Sequence, residues 1–258
     1  KKLMRTSAET NQMNAIVKNF SSYLSRTYIP STEERIVSMS YDPLSTKVYA
    51  VVLDKRGKVI DTQVFEYIMT KLTSIIVFEE KNKYYTEQRR LLKLISSVQC
   101  IVIGANDLRC KDLKRILLIN GASKVVKVID GRFSEIYMKS DLARKENADI
   151  FEDMKRHEND FTYIAYAISI GRIAINGLYE ISHIFIKNNL ILDKLGFLGK
   201  IDHVKNTNLL LLRLENEIVK RINQETVDLN IIIENEHLQR LLCFIRKKKK
   251  KRGYYLYK

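Results

Sequence analysis

The 258-residue chain has little proline, glycine, cysteine and histidine, and it has no tryptophan. Two prolines and nine glycines exclude a collagen-like chain and a Pro/Gly-rich disordered chain. The three cysteines (Cys100, Cys110 and Cys243) lack CxxC spacing, which argues against a disulfide framework and a thiolate zinc site. The four histidines are scattered, so a His-based metal site has no support either. We therefore expect no metal and no cofactor, and a reducing compartment such as the cytoplasm or nucleus.

Long apolar runs are also missing from the sequence. No run approaches the roughly 20 apolar residues that a helix needs to cross a bilayer. The first ten residues, KKLMRTSAET, lack the apolar core of a secretory signal. We therefore expect no membrane contact and no secretion.

Positive charge is in excess. The chain has 45 Lys and Arg against 30 Asp and Glu, a formal net charge of +15, and a pI of about 9.6. This excess predicts a polyanionic partner, with DNA or RNA as the first candidate. Seven of the charges form one run, which leaves +8 for the rest of the chain. The run consists of Arg246, Lys247, Lys248, Lys249, Lys250, Lys251 and Arg252.

Two interpretations of this run stay open: a solvated tail or loop, and a nuclear-localisation or nucleic-acid-binding patch. A second basic group lies on one predicted helix and consists of Lys111, Lys114 and Arg115. These three residues are candidates for nucleic-acid binding, and a solvated helix face is the alternative.

Hydrophobic patterning predicts an α/β region followed by an all-α region. Short apolar, β-branched runs predict strands at 36–41, 47–53, 58–66, 99–104 and 124–130. The DKRG segment at 54–57 predicts a hairpin turn. Helical periodicity predicts helices at 8–28, 86–96, 107–119, 162–175, 178–187, 208–224 and 237–245. The order β-β-β-α-β-α-β indicates a mixed sheet with flanking helices, as in the ribonuclease H-like fold.

Enzymes of the ribonuclease H-like fold hold two Mg²⁺ ions with clustered carboxylates. Asp42 at the end of the first strand and Asp130 at the end of the fifth are candidates for such a cluster, with Asp160 as a weaker third. A turn role explains the first two equally well, because Asp-Pro and Asp-Gly are common turn pairs. The body of the predicted 162–175 helix contains no carboxylate. We therefore expect vestigial carboxylates rather than a working metal centre.

Five segments together resemble the Tex family, which includes the bacterial Tex protein and a large eukaryotic suppressor-of-Ty transcription elongation factor and histone chaperone. They occur in the family's order and are SYDPLSTKVYAVVLDKRGKVIDT (40–62), CIVIGANDLRCKDL (100–113), VVKVIDGRFSEIYMKSDLARKE (125–146), AISIGRIAINGLYEI (167–181) and LENEIVKRINQETVDLN (214–230). The resemblance implies a helical segment at 1–34, a YqgF ribonuclease H-like domain at 35–190, and the start of a helix-hairpin-helix region at 206–258.

Two departures from the family pattern bear on function. Leu44 replaces the glycine that follows Asp-Pro in the family's nuclease-like motif, where glycine would allow a phosphate backbone to approach closely. The basic run stands where the family has the Gly-x-Gly hairpin that would bind a DNA phosphate, with only Gly253 beyond it. Two interpretations stay open: a lysine loop replaces the hairpin, or the chain is interrupted or cut there. The ends of the sequence led us to expect an internal fragment of a longer protein.

The resemblance implies a nuclear, non-catalytic scaffold that binds nucleic acid, with the RNA polymerase II elongation complex and histones as partners. An active metal-dependent nuclease of the YqgF or Holliday-resolvase type is the alternative, with Asp42, Asp130 and Asp160 as its ligands. A third possibility is a purely structural domain whose charge keeps it in solution.

Overall fold

The computed structural model describes residues 2–27, 34–69, 78–120, 125–153, 158–187, 194–201 and 204–224. The basic run 246–252, the predicted helix 237–245 and the end of the 214–230 segment lie outside these residues. The chain divides into two compact units, one of residues 29–177 and one that combines residues 1–28 with 178–258. The domain limits implied by the resemblance stay a prediction.

A five-stranded mixed sheet forms the first unit, as predicted. Its strands are β1 (Arg35–Tyr41), β2 (Val48–Asp54), β3 (Val59–Phe65), β4 (Cys100–Gly104) and β5 (Val125–Ile129), in the spatial order β3-β2-β1-β4-β5. The β1/β2 and β2/β3 pairs are antiparallel, and the β1/β4 and β4/β5 pairs are parallel. The predicted DKRG turn joins β2 to β3, where Asp54 Oδ1 accepts bonds from the Arg56 and Lys58 amides and Gly57 has a φ of 78°.

Both faces of the sheet are covered, because nearly all residues of β1, β2 and β4 are buried on either side of the sheet. One face packs against α2 (Phe78–Ser96) and α3 (Cys110–Ile119). The other face packs against residues 164–174 of α7 (Glu158–Lys187). Three short helices lie between β5 and α7, namely α4 (Arg132–Met138), α5 (Asp141–Glu146) and α6 (Ala148–Asp153).

Close contact between α7 and the sheet requires glycine at the carboxyl ends of β4 and β5. A Cβ added to Gly131 would lie 1.6 Å from the hydroxyl of Tyr166, and one added to Gly104 would lie 2.2 Å from its Cε1. Tyr166 is fully buried. The two glycines thus let α7 approach the edge of the sheet at which β1, β4 and β5 end.

The second unit is helical, as the patterning predicts. It contains α1 (Lys2–Thr27), residues 178–187 of α7, a 3₁₀ turn (Gly196–Leu198) and α8 (Thr207–Gln224). α1 packs against α8. Their buried residues recur every three or four positions and are Met13, Ile16, Phe20, Tyr23 and Leu24 on α1 and Leu210, Leu214, Ile218 and Ile222 on α8. Glu9 Oε1 accepts bonds from the Lys205 and Asn206 amides, 2.8 and 3.1 Å away, just before α8 begins.

The longest helix bears on two sequence predictions. The break predicted between the helices at 162–175 and 178–187 is confirmed, because α7 has non-helical backbone angles at Asn176. By length and composition, Asn159–Phe185 is also apolar enough to cross a membrane, although no such stretch was expected. In the structure, 72% of its most apolar window is buried. A core helix passes the same test, because a helix buried on several sides is apolar all round.

Candidate functional site at the carboxyl ends of the parallel strands

The sequence-predicted carboxylates lie at one edge of the sheet. Parallel strands β1, β4 and β5 end at this edge, so the residues that follow them are neighbours in space. Asp42 follows β1 and Asp130 follows β5. Asp160, in the first turn of α7, lies in the same region as Asp42. The negative charges of both carboxylates raise the pKa of Tyr49.

Asp42 is held by hydrogen bonds in a turn. It is 4% exposed, and its carboxylate accepts bonds from the Leu44 amide at 2.9 Å and the Ser45 hydroxyl at 2.5 Å. The Tyr163 hydroxyl donates a further bond. Burial raises the pKa of Asp42, but these hydrogen bonds outweigh it and lower the pKa below its ordinary value. Asp42 is therefore a stable carboxylate that organises the turn after β1.

Asp160 is occupied by two donors from β2 and the loop before it. The Tyr49 hydroxyl donates to Asp160 Oδ1 at 2.5 Å, and Lys47 Nζ lies 3.4 Å from the same oxygen. Lys47 Nζ also lies 3.6 Å from Glu66 Oε1, so one ammonium group serves two carboxylates. Burial and the bond to Asp160 raise the pKa of Tyr49 far above its ordinary range. Tyr49 is thus a neutral, permanent donor to Asp160.

A stacked pair of tyrosines joins the two aspartates. The rings of Tyr49 and Tyr163 are 5.6 Å apart between centroids, with an interplanar angle of 10°. Burial and the hydrogen bond to Asp42 raise the pKa of Tyr163 to about 12. Ser40 Oγ donates to the Tyr163 backbone carbonyl at 2.8 Å, which ties the start of α7 to β1. We call Asp42, Tyr49, Asp160 and Tyr163 the aspartate–tyrosine cluster.

Asp130 makes a different interaction. Arg132 Nε lies 2.9 Å from both of its carboxylate oxygens, and Arg132 Nη2 also contacts it. β4 lies between β1 and β5, so at ordinary strand spacing the backbones that follow β1 and β5 are about 10 Å apart. The sequence allowed Asp42 and Asp130 to approach each other. In the structure Asp42 and Asp160 both lie near Tyr49, and Asp130 pairs with Arg132.

The residues present do not fit a two-metal centre. The ammonium of Lys47 lies beside Asp160, where a metal would have to bind, and Asp42 is engaged in its turn. Over the part of the chain that the structure describes, no group of three or more His, Cys, Asp and Glu side chains is placed to hold a metal ion.

Sequence reasoning missed three members of this site: Lys47, Tyr49 and Tyr163. Lys47, just before β2, and Tyr49 on β2 are two residues apart, and both reach Asp160. Asp160 and Tyr163 are three residues apart on a helix and share a face. Each spacing is visible in the sequence. No local pattern pairs Tyr49 with Asp160, because 111 residues separate them in the sequence.

Leu44, the residue that departs from the family pattern, projects into solvent. It is 91% exposed, although its amide donates to Asp42. The neighbouring β4–α3 loop is tied to β1 through Tyr41. Asn106 Nδ2 donates to the Tyr41 carbonyl at 2.8 Å, and Arg109 Nη1 donates to the Tyr41 hydroxyl at 2.6 Å. The turn after β1 thus exposes a large apolar side chain.

The predicted basic helix group lies on α3. Lys111 and Arg115 are exposed and Lys114 is half-buried, while Leu113 and Leu117 on the opposite side are buried. The three basic residues therefore share the outer side of one amphipathic helix. The second predicted group, the run 246–252, lies outside the described residues.

Comparison with known proteins gives one informative similarity. No protein-family model matches the chain. A protein of Caenorhabditis briggsae named "Suppressor of Ty 6 homolog" is 22% identical over an alignment that covers 88% of this chain. The chain is similar to a suppressor-of-Ty protein. It spans only 16% of that relative's length. The similarity supports the suppressor-of-Ty relationship that the motifs predicted, and the finer YqgF and helix-hairpin-helix assignments stay predictions.

Proposed function

We propose that the chain is a non-catalytic part of the core of a transcription elongation factor and histone chaperone. It acts as a scaffold with nucleic-acid binding capacity. The similarity to a suppressor-of-Ty protein over 88% of the chain supports this proposal. By the same resemblance we propose a nuclear location, with the RNA polymerase II elongation complex and histones as partners.

The observation that carries the non-catalytic part is the pairing of Asp160 with Lys47 and Tyr49. A ribonuclease H-like nuclease needs carboxylates that are free to bind two metal ions about 4 Å apart. Lys47 Nζ lies 3.4 Å from Asp160 Oδ1 and supplies a positive charge there without a metal. The Tyr49 hydroxyl donates a hydrogen bond to the same oxygen, at a position that a metal ion would otherwise need. The cluster therefore favours a structural role, in which it fastens α7 to the sheet.

The sheet topology supports the ribonuclease H-like part of the proposal. Three antiparallel strands lead into two parallel crossovers, and β1 lies at the centre of the order β3-β2-β1-β4-β5. Helices cover both faces. We propose that this unit is a YqgF-type domain in which Leu44, Lys47 and Tyr49 replace the residues that a nuclease would have at its catalytic edge.

The net charge of +15 supports the nucleic-acid part. Phosphate contacts by Lys and Arg release counterions, so binding through them weakens steeply as salt rises. The candidates are the run from Arg246 to Arg252 together with Lys111, Lys114 and Arg115.

Two measurements on the purified chain test the proposal. Incubation with Mg²⁺ or Mn²⁺ should leave branched and single-stranded DNA and RNA uncut. Fluorescence anisotropy should give binding to the same substrates that falls steeply between low and physiological salt. Affinity that ignores salt would contradict phosphate contacts, and a chain that binds no nucleic acid at low salt would leave only the structural-domain alternative.

The nuclease alternative keeps one supporting observation. The negative charges of Asp42 and Asp160 both raise the pKa of Tyr49, so two of the three predicted ligands lie in one region. If metal-dependent cleavage is found and Asp42→Asn abolishes it, the nuclease alternative replaces our proposal. Cleavage that survives Asp42→Asn would point to a contaminating nuclease.

A further inference from the structure

Strand β5 forms one end of the sheet, and its inner side pairs with β4 in parallel. Within the described residues, no strand pairs with its outer side. Successive residues of a strand direct their N–H and C=O groups alternately to its two sides. The Ala105 amide, directly after β4, donates to the Ile129 carbonyl at 2.8 Å, so Ile129 faces inward. The backbone groups of Val126 and Val128 therefore point outward.

The strand at the other end of the sheet, β3, is less open to pairing. The Thr62 amide donates to Asp61 Oδ1 at 2.9 Å, and Asp61 is exposed. An occupied amide and a charged side chain discourage the addition of a further strand. On β5, by contrast, Val125 is 58% exposed and Val128 is 40% exposed. An added strand would bury apolar surface at β5.

One side of α3 lies over this open edge. α3 contacts β4 and β5, whereas α2 lies toward β3, because the Arg90 guanidinium on α2 is 5.2 Å from the Phe65 ring centroid. Asn120, directly after α3, accepts a bond from Gln88 on α2 and so marks the side of α3 that faces α2. Residues two apart on a helix point in nearly opposite directions. Leu118 therefore lies on the β5 side of α3.

Basic residues share this side of α3 with Leu118. Lys111 and Lys114 precede Leu118 by seven and four residues, a spacing that places all three on one side of the helix. Leu118 is 50% exposed. Asp112, the acid of α3, is two residues from Lys114 and points to the opposite side. Lys127 on β5 adds a half-buried positive charge to the edge itself.

The charge around the edge is positive when every charged residue of the neighbouring elements is counted. Residues 107–119 and 125–139 contain seven Lys and Arg and four Asp and Glu, an excess of three positive charges. Of the four acids, Asp130 is paired with Arg132. The surface therefore favours a partner that brings negative charge.

We propose that β5 binds an extended acidic segment of a partner protein as a sixth strand of the sheet. In this mode of recognition, main-chain hydrogen bonds supply affinity and alternate side chains supply specificity. The segment bonds to the outward N–H and C=O groups of Val126 and Val128. Its apolar side chains pack beside Leu118, and its carboxylates lie near Lys111 and Lys114.

The edge favours this occupant over two others. Pairing the β5 edges of two copies of the chain would bring like charges together, and an edge lysine such as Lys127 is a known means of preventing such pairing. An acidic strand neutralises the same lysine. A DNA strand offers phosphates to the lysines, but its backbone has no N–H donor for the outward carbonyls of Val126 and Val128.

The test uses three fluorescent probes and the full 258-residue chain. The first probe is a synthetic peptide of alternating valine and glutamate. The second is the same peptide with N-methyl groups on its three central residues, which removes donors from both of its edges and leaves its charge unchanged. The third probe is oligodeoxythymidylate. We expect the first peptide to bind about tenfold more tightly than the second, because only the first can extend the sheet.

Variants then locate the binding. Val128→Pro removes one outward N–H at a position where an edge strand tolerates proline, and it should weaken binding of the first peptide by about tenfold. Lys111→Glu with Lys114→Glu should weaken it as well, at physiological salt, where exposed charges beyond about 8 Å are screened. Lys55→Glu with Lys58→Glu makes the same change in net charge at the β2–β3 turn and should leave binding nearly unchanged. Circular dichroism checks the folding of each variant, and the lysine variants decide the matter if the proline variant does not fold.

Equal affinity for the two peptides would overturn the proposal, because charge alone would then drive binding. Unchanged affinity of a folded Val128→Pro variant would overturn it by placing the peptide elsewhere. The proposal also fails if the first peptide does not bind. In that case, loss of oligodeoxythymidylate binding in the Lys111/Lys114 variant would assign this surface to nucleic acid. Dimerisation of the chain that Val128→Pro abolishes would instead assign the edge to a second copy.

Discussion

Tyr163 on α7 stacks on Tyr49 on β2, with 5.6 Å between ring centroids and an interplanar angle of 10°. Each tyrosine donates a hydrogen bond to an aspartate, Tyr49 to Asp160 and Tyr163 to Asp42. The pair thus links a helix to two strands of the sheet at the edge where a ribonuclease H-like enzyme would place its metals. Four of the following predictions test whether this edge has a structural role.

Replacing Tyr49 by phenylalanine removes one hydroxyl and keeps the ring stack. Asp160 is 17% exposed in its side chain, so the lost bond is only partly replaced by water. A hydrogen bond to a charged group contributes about 1.5–3 kcal/mol, and we expect a loss at the low end of that range. The measurement is the midpoint of urea unfolding. Tyr85→Phe on the exposed side of α2 is the matched control, and an equal loss there would contradict a specific role for Tyr49.

Acid should weaken the fold through Asp42. Its folded-state pKa lies below the ordinary value of 3.8. The ionised carboxylate therefore contributes stability above that value, and the contribution is lost as pH falls through the lower, folded-state pKa. The stability difference between the chain and its Asp42→Asn variant should shrink as pH is lowered from neutrality to below 3.8. Asp61→Asn, at an exposed aspartate on β3, should give a small difference at every pH.

Alkali should reveal the buried tyrosines. The chain has 14 tyrosines and no tryptophan, so tyrosinate absorbance is free of overlap with indole. The pKa of Tyr163 is raised to about 12 from 10.0, and that of Tyr49 is raised further. A raised tyrosine pKa contributes stability below 10.0 that is lost as pH rises toward 12.

An absorbance titration should therefore show a late-ionising fraction in the folded chain, and Tyr163→Phe should reduce it. A titration in which all tyrosines ionise together before unfolding would contradict the buried pair.

Packing of α7 against the sheet is tested at Gly131. A methyl group there would lie 1.6 Å from the Tyr166 hydroxyl and 2.5 Å from its Cζ, and the ring is fully buried. Overpacking of this kind costs about 1–3 kcal/mol. Gly131→Ala should lower the free energy of unfolding by that amount. Gly196→Ala is the control, because an added Cβ there meets nothing within 4 Å.

The sheet was predictable because its signals are local. The β-branched runs, the DKRG turn and the alternation with amphipathic helices each act within a few residues. The early start of α2 at Phe78 was missed because its first turns, FEEKNKYY, are mostly polar. The predicted break in α7 is confirmed, since the irregular backbone lies at Asn176, next to Gly177.

The aspartate–tyrosine cluster was predictable only in part. Asp42 and Asp160 were found because the fold class places carboxylates there. The hydrogen bond between Tyr49 and Asp160 could not be predicted locally. The two residues are 111 positions apart, and only the packing of α7 on the sheet brings them together. Asp130 was grouped with them because carboxyl ends of parallel strands share an edge, yet β4 keeps β5 two strand spacings from β1.

Arg172 connects three elements of the first unit. Its Nε donates to the Gly57 carbonyl in the β2–β3 turn at 3.1 Å. Its Nη1 donates to the Tyr137 hydroxyl at 3.0 Å and lies 3.2 Å from Glu146 Oε2. The arginine lies in the 167–181 segment that resembles the Tex family, so its network gives that segment a physical role. Loss of Arg172 removes the side-chain donor to the Gly57 carbonyl and the positive charge beside Glu146, to which the Tyr137 hydroxyl also donates at 2.9 Å.

Arg172→Ala should therefore lower the free energy of unfolding by about 2–3 kcal/mol. Arg172→Lys should recover only part of it, because one ammonium group cannot reproduce the planar fork of a guanidinium. Arg115→Ala is the control, since Arg115 is exposed on the outer side of α3 and surface substitutions usually change stability by at most about 0.5 kcal/mol. Urea unfolding of the three variants measures the differences. Full recovery by lysine would show that charge alone matters at this position. It would contradict a stabilising role for the directed hydrogen bonds of the guanidinium.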